Sequence, residues 1–154
     1  MNNQIFNEAN IVFDETATTQ TEAFETIARV ANQNGYVKSA KDFVEALKLR
    51  EQESTTGFKD GIAIPHGKSE TVVRPGLILV KYKSAIEWQA LDQKPVQVAL
   101  ALTIPVEGAS EHLKILSLIA RKLIDDGFRE TLITAENPAE NPAELVRLMD
   151  EIEV

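Results

Sequence analysis

Two histidines stand in the 154 residues, and one of them, His66, lies in the run GIAIPHGK, behind Pro65 and ahead of Gly67. Imidazole changes charge near neutral pH, so it serves as base, acid or nucleophile. A ring nitrogen attacks an electrophile only when it carries no proton. With an ordinary pKa of about 6.5, histidine is largely in that state at neutral pH. The alternative for His66 is a solvent-exposed turn residue without chemical work. The second histidine, His112, falls early in a helix expected to start around Ser110. The positive end of the helix dipole disfavours imidazolium there and attracts anions. A neutral His112 can donate one hydrogen bond toward an oxyanion, or simply pack beside Leu116. Arg50 completes the set. It lies three residues after Leu47 and seven after Phe43, so helical spacing sets it on the apolar stripe. Inward arginine asks for an anionic partner, yet a cation also suits the last turn of a helix and can snorkel outward.

Other chemistries lack their residues. With no cysteine, thiolate catalysis, disulfides and zinc–sulfur sites are excluded. Two histidines make a metal site possible only with carboxylate help, and no ligand spacing is recognisable, so neither a metal nor a cofactor is expected. There is no phosphate-binding P-loop, no dinucleotide glycine fingerprint and no nucleophile elbow.

The elements that must hold these residues follow from periodicity. TEAFETIARVANQNG has apolar residues at 24, 27, 28 and 31 and ends in Gly35, which predicts a helix with a glycine stop. SAKDFVEALKLREQE opens with Ser39 and Asp42 in capping-box spacing and predicts a second helix. GLILVKY and VQVALALTI are bounded by Gly or Pro and rich in leucine and β-branched residues, as strands are. The second is apolar almost throughout, as a central strand covered on both faces would be. Residues 61–64 form a shorter strand, and Pro65 keeps Ile64 extended, so His66 is expected just past a strand end. The flanking Gly67 permits a sharp exit or a close approach by another molecule. EHLKILSLIARKLIDDG predicts an amphipathic helix ending near Gly127, and NPAELVRLMDEI a terminal one with Pro142 in its first turn. Helices before, between and after strands imply an α/β sandwich, and no linker divides it, so residues 1–154 are expected to form a single domain.

The net charge of −8 leaves no basic stripe for nucleic acid. The N-terminal stretch lacks the basic start and apolar core of a signal peptide, and no apolar run approaches the roughly 20 residues that span a bilayer. The expected location is therefore cytoplasmic, without membrane insertion.

At LKLREQESTTGFKDGIAIPHGK, PVQVALALTIP and EHLKILSLIARKL the chain resembles the enzyme IIA of the fructose–mannitol family of the bacterial sugar phosphotransferase system. The ordered set Leu-x-x-Arg-Glu, Thr-Gly, Gly-Ile-Ala-Ile-Pro-His-Gly and His-Leu-x-x-Leu carries the likeness from about residue 20 onward. The resemblance implies a mixed, mostly parallel sheet with helices on both faces. It implies that His66 takes a phosphoryl group from phosphorylated HPr and passes it to a cysteine of a IIB domain, which serves a membrane IIC permease. His112 then matches the family's second histidine, Arg50 the helix-end arginine, and Thr56 the threonine ahead of the histidine. Backbone N–H groups near Gly67 or Ser110 can add donors. Relatives carry glycines where this chain has the bulkier Phe58-Lys59-Asp60. Phe58 and Ile64 are candidates for an apolar rim that partners touch, with Ile64 equally open to a place in the core. Within the same family, a nitrogen-related regulatory IIA would use the same phosphohistidine as a binding switch, and the motif does not separate the two. A scaffold without transfer activity is the third reading, against which His66, His112 and Arg50 all stand.

Overall fold

The computed structural model describes residues 1–152. Strand β1 (Ile11–Asp14) leads into helices α1 (Gln20–Gln33) and α2 (Ala40–Glu53), followed by the short strands β2 (Gly57–Lys59), β3 (Ile62–Ala63) and β4 (His66–Lys68). Two long strands, β5 (Gly76–Ile86) and β6 (Val96–Ile104), precede α3 (Ala109–Lys122), α4 (Asp126–Thr134) and α5 (Pro142–Met149). The sheet order is β1-β5-β6-β3-β2, with β4 also paired to β6. Pairings β1·β5, β3·β6 and β4·β6 are parallel, while β5·β6 and β2·β3 are antiparallel. The sheet is thus mixed and parallel by number of pairings, but its longest ladder is antiparallel.

Alternation along β6 divides the core into two layers. Ala99 and Ala101 face α1 and α2, together with Phe24, Ile27, Phe43 and Leu47. Val98, Leu100, Leu102 and Ile104 face the other way, against Ile115, Ile119, Phe128, Leu132 and Leu145 of α3–α5. This two-sided burial is why VQVALALTI is apolar at nearly every position.

Local chemistry sets the boundaries. α1 begins with a reciprocal capping box between Thr19 and Glu22, and the Ser39 side chain accepts from the Asp42 N–H to start α2. The helix expected to run on to Gly127 is instead two helices. α3 stops at Lys122, and Asp125 caps a new helix by accepting from the N–H groups of Gly127 and Phe128. The carboxylate, not the glycine, makes that break, because it satisfies backbone donors that would otherwise be orphaned. Buried Arg129 then binds the carbonyls of Leu123 and Ile124 at the junction.

The charged stretch before His66 is a hairpin. Asp60 and Gly61 both have positive φ, 53° and 85°, the conformation of a two-residue type I′ turn, which Asp-Gly suits. Asp60 ion-pairs with Lys94 and Arg129, each at 3.2 Å. This pins the turn to α4 and to the loop ahead of β6.

Candidate functional site

His66 lies just past the short strand β3, as expected, and it also begins a strand of its own. β3 ends at Ala63, Ile64 and Pro65 interrupt the ladder, and β4 resumes beside β6 with His66 opposite Leu102 and Gly67 opposite Thr103. Pro65 cannot donate to a ladder, which accounts for the gap, while its carbonyl still accepts from the Leu102 N–H at 3.0 Å. Opposite residues share a sheet face, so His66 lies on the Leu102 side, the face covered by α3. The residue is also buried, with 9% of its surface exposed, which corrects the reading of an open loop histidine.

Hydrogen bonding fixes the state of the ring. Nδ1 lies 2.9 Å from the Ile64 carbonyl oxygen, and Arg50 Nε donates to Nε2 at 3.0 Å. A carbonyl only accepts and a guanidinium only donates. The ring is therefore neutral, with its proton on Nδ1 and its lone pair on Nε2. Burial holds the His66 pKa below its ordinary value and the Arg50 charge adds to this, whereas the Ile64 hydrogen bond and the charges of Glu51 and Glu53 pull the other way.

Arg50 reaches the ring from the last turn of α2. Its Nη1 donates to the Ser54 carbonyl at 2.8 Å, and its Nε lies 3.8 Å from a Glu53 carboxylate oxygen. The side chain thus serves the helix end, as a cation in a last turn can, and holds the histidine as well. Thr56 is buried, its hydroxyl donating to Glu51 at 2.5 Å and accepting from the Trp88 indole at 3.1 Å. A Cβ on Gly67 would lie 3.0 Å from Phe43 and 3.1 Å from Ala46, so the close approach at this glycine is made by α2 of the same chain.

His112 is half-buried in the first turn of α3. Its Nε2 lies 3.4 Å from the place a Cβ on Gly108 would occupy, so the ring folds back over the start of the helix. Among the described residues neither ring nitrogen has a hydrogen-bond partner. Gly108 is the N-cap and offers no side chain to the first turn, where Ser110 is exposed. The candidate rim residues lie elsewhere: Ile64 is in the core and Phe58 is partly buried against the α3–α5 layer, since β2 turns that side inward. Among the described residues the exposed large apolar side chains are instead Leu49, Val73, Leu91, Val106, Leu113 and Ile124. Among the described residues no group of three histidine or carboxylate side chains forms a cation site.

The family described as "Phosphoenolpyruvate-dependent sugar phosphotransferase system, EIIA 2" matches residues 4–147. The chain belongs to that family. It is 36% identical over 102 residues to the PTS system fructose-like EIIA component of Escherichia coli strain K12, covering 66% of this chain and 69% of that one. It is 35% identical over 119 residues to a nitrogen regulatory protein of Klebsiella oxytoca, covering 77% and 73%. Among solved structures, the nitrogen regulatory protein IIA-Ntr of Neisseria meningitidis superposes with a TM-score of 0.80 at 27% identity, over 93% of this chain and 94% of that one.

Glu51 and Trp88 were not singled out as site residues by spacing. The sequence carried one signal for Glu51, the Arg-Glu pair in Leu-x-x-Arg-Glu. For Trp88, whose partner Thr56 lies 32 positions away, there was none.

Proposed function

We propose that this EIIA-family chain is a cytoplasmic phosphocarrier of sugar uptake, with His66 as the residue that bears the phosphoryl group. The observation that carries this reading is the pair of hydrogen bonds on His66, which leave Nε2 unprotonated and a guanidinium against it. In the first transfer, the Nε2 lone pair forms the N–P bond as the N–P bond to the phosphohistidine of HPr breaks, and that histidine keeps the electron pair. In the second, a cysteine thiolate of a IIB domain takes the phosphoryl group and Nε2 recovers its lone pair.

Phosphoryl transfer needs positioning and charge stabilisation more than covalent help. Arg50 moves from the lone pair onto phosphoryl oxygens as the N–P bond forms. His112 and the N–H groups at the uncapped start of α3 supply further donors. Leu49 and Leu113 adjoin Arg50 and His112 in sequence, and Val106 precedes α3. These exposed apolar side chains suit a partner surface that excludes water around the transferred group.

The test is incubation with enzyme I, HPr and phosphoenolpyruvate, followed by mapping of the label. An acid-labile, alkali-stable phosphate on Nε2 of His66, absent in His66→Ala, is expected; label on His112 instead would overturn the assignment. A second reading, a regulatory IIA whose phosphohistidine switches the binding of other proteins, is supported by the likeness to the two nitrogen regulatory proteins. Transfer to candidate IIB domains separates the two, because a purely regulatory chain would hold its phosphate in their presence.

A further inference from the structure

Glu51 sits in the last turn of α2, where a carboxylate opposes the helix dipole. Its two oxygens are both committed to one residue: Oε2 accepts from the Thr56 N–H at 2.7 Å and Oε1 from the Thr56 hydroxyl at 2.5 Å. The hydroxyl oxygen accepts in turn from the indole of Trp88, a buried ring packed edge-on against Phe24 at 5.4 Å between centroids. Thr56 is thereby tied at once to the end of α2 and to the core. With its proton given to Glu51 and its oxygen engaged by Trp88, the hydroxyl is a poor candidate for direct contact with a phosphoryl group.

The Thr56 backbone leads to the histidine. Its carbonyl accepts from the Ile64 N–H at 2.9 Å, and the Ile64 carbonyl is the group that holds His66 Nδ1 at 2.9 Å. Ile64 lies in the gap between β3 and β4, with no ladder partner of its own. The Thr56 carbonyl is therefore the hydrogen-bond anchor of Ile64, the residue whose carbonyl selects the His66 tautomer.

We propose that Glu51 is a positioning residue for phosphoryl transfer, acting through Thr56 and Ile64 to keep the His66 proton on Nδ1 and the lone pair on Nε2. The proposal rests on His66 being the phosphoacceptor, but its readout does not. Glu51→Gln preserves shape and loses one acceptor, since an amide nitrogen only donates. Thr56→Val removes the hydroxyl at nearly constant volume, and Thr56→Ser keeps it.

The experiment compares these three variants with the wild type in full-length protein. Nitrogen NMR of the His66 ring reports the tautomer, and kcat and KM for phospho-HPr report transfer. Wild type and Thr56→Ser are expected to hold the Nδ1–H tautomer. Glu51→Gln and Thr56→Val should show a mixture with Nε2–H and a kcat lower by about tenfold to a hundredfold, the scale of a small misplacement, with KM little changed. A wild-type tautomer in both Glu51→Gln and Thr56→Val overturns the proposal, whatever happens to rate or melting temperature, because a merely structural carboxylate would leave the ring unaltered. If wild-type His66 takes no phosphate, the phosphocarrier reading falls, while the tautomer comparison still decides the role of Glu51.

Discussion

Arg50 Nε is 3.0 Å from Nε2 of His66, so the cation proposed to stabilise the transferred phosphoryl group already occupies the lone pair proposed to attack it. The contact serves the resting state by holding the ring and excluding a proton from Nε2. In the proposed transfer it breaks as the donor arrives, and the same guanidinium then meets phosphoryl oxygens.

Substitutions at Arg50 should therefore divide into two effects. Arg50→Lys keeps a cation but loses the planar fork that reaches His66 and the Ser54 carbonyl together. Arg50→Ala loses both. Losing a preorganised donor costs roughly 10²–10³ in rate at comparable anionic sites. Transfer from phospho-HPr should fall toward that range in Arg50→Ala, with Arg50→Lys between it and the wild type. Wild-type rates in both would remove Arg50 from the site.

The pH dependence follows from the burial of His66, which lowers its pKa. NMR titration should give a midpoint below the ordinary histidine value of about 6.5. The sign for stability is that of a depressed pKa: the contribution is present above about 6.5 and is lost as pH falls through the folded-state value. Chemical denaturation of the wild type between pH 7 and 5 should show this loss, and His66→Ala should lack it. A midpoint at or above 6.5 would contradict the buried, neutral ring.

His112 is set apart from His66 by its lack of a hydrogen-bond partner. A ring free to orient at the start of α3 fits a donor recruited only when the phosphoryl group is present. His112→Ala should slow transfer without abolishing it. Half-exposure lets water substitute in part, so the loss should fall short of that in Arg50→Ala. Rate measurements on phospho-HPr check this, with complete loss of activity as the contrary outcome.

The sequence disclosed what depends on short-range pattern. The Ser39 cap of α2 and the two long strands have local signatures, and the resemblance pointed to Arg50 and His66, which the structure brings into contact. Tertiary pairing stayed hidden. β4 is three residues long and contains a histidine, a glycine and a lysine, a composition with no strand signal; it is a strand because β6 supplies its partner. The sequence predicts one helix ending near Gly127 and misses the break before it at Asp125, because a carboxylate cap is less conspicuous than a glycine. The Trp88–Thr56–Glu51 connection joins side chains from a loop, the segment before β2 and a helix end, which no single period relates.

Gly67 offers the sharpest test of how α2 positions the site. A methyl group there would sit 3.0 Å from Phe43 and 3.1 Å from Ala46, closer than side-chain carbons normally pack. Phe43 is fully buried in the core and has no room to turn away, so the relief must come from movement of α2 off β4. Overpacking of this kind costs about 1–3 kcal/mol, and Gly67→Ala should lower the melting temperature accordingly. Arg50 rides on the same helix, seven residues after Phe43, and its bond to His66 has only a few tenths of an ångström of tolerance. Gly67→Ala should therefore also slow phosphoryl transfer, although residue 67 itself contributes no side chain to the chemistry. Nitrogen NMR of the His66 ring should show a changed Nε2 environment as the Arg50 contact lengthens. A destabilised variant with unchanged transfer rate and an unchanged Nε2 signal would show that Arg50 follows its histidine independently of the packing of α2.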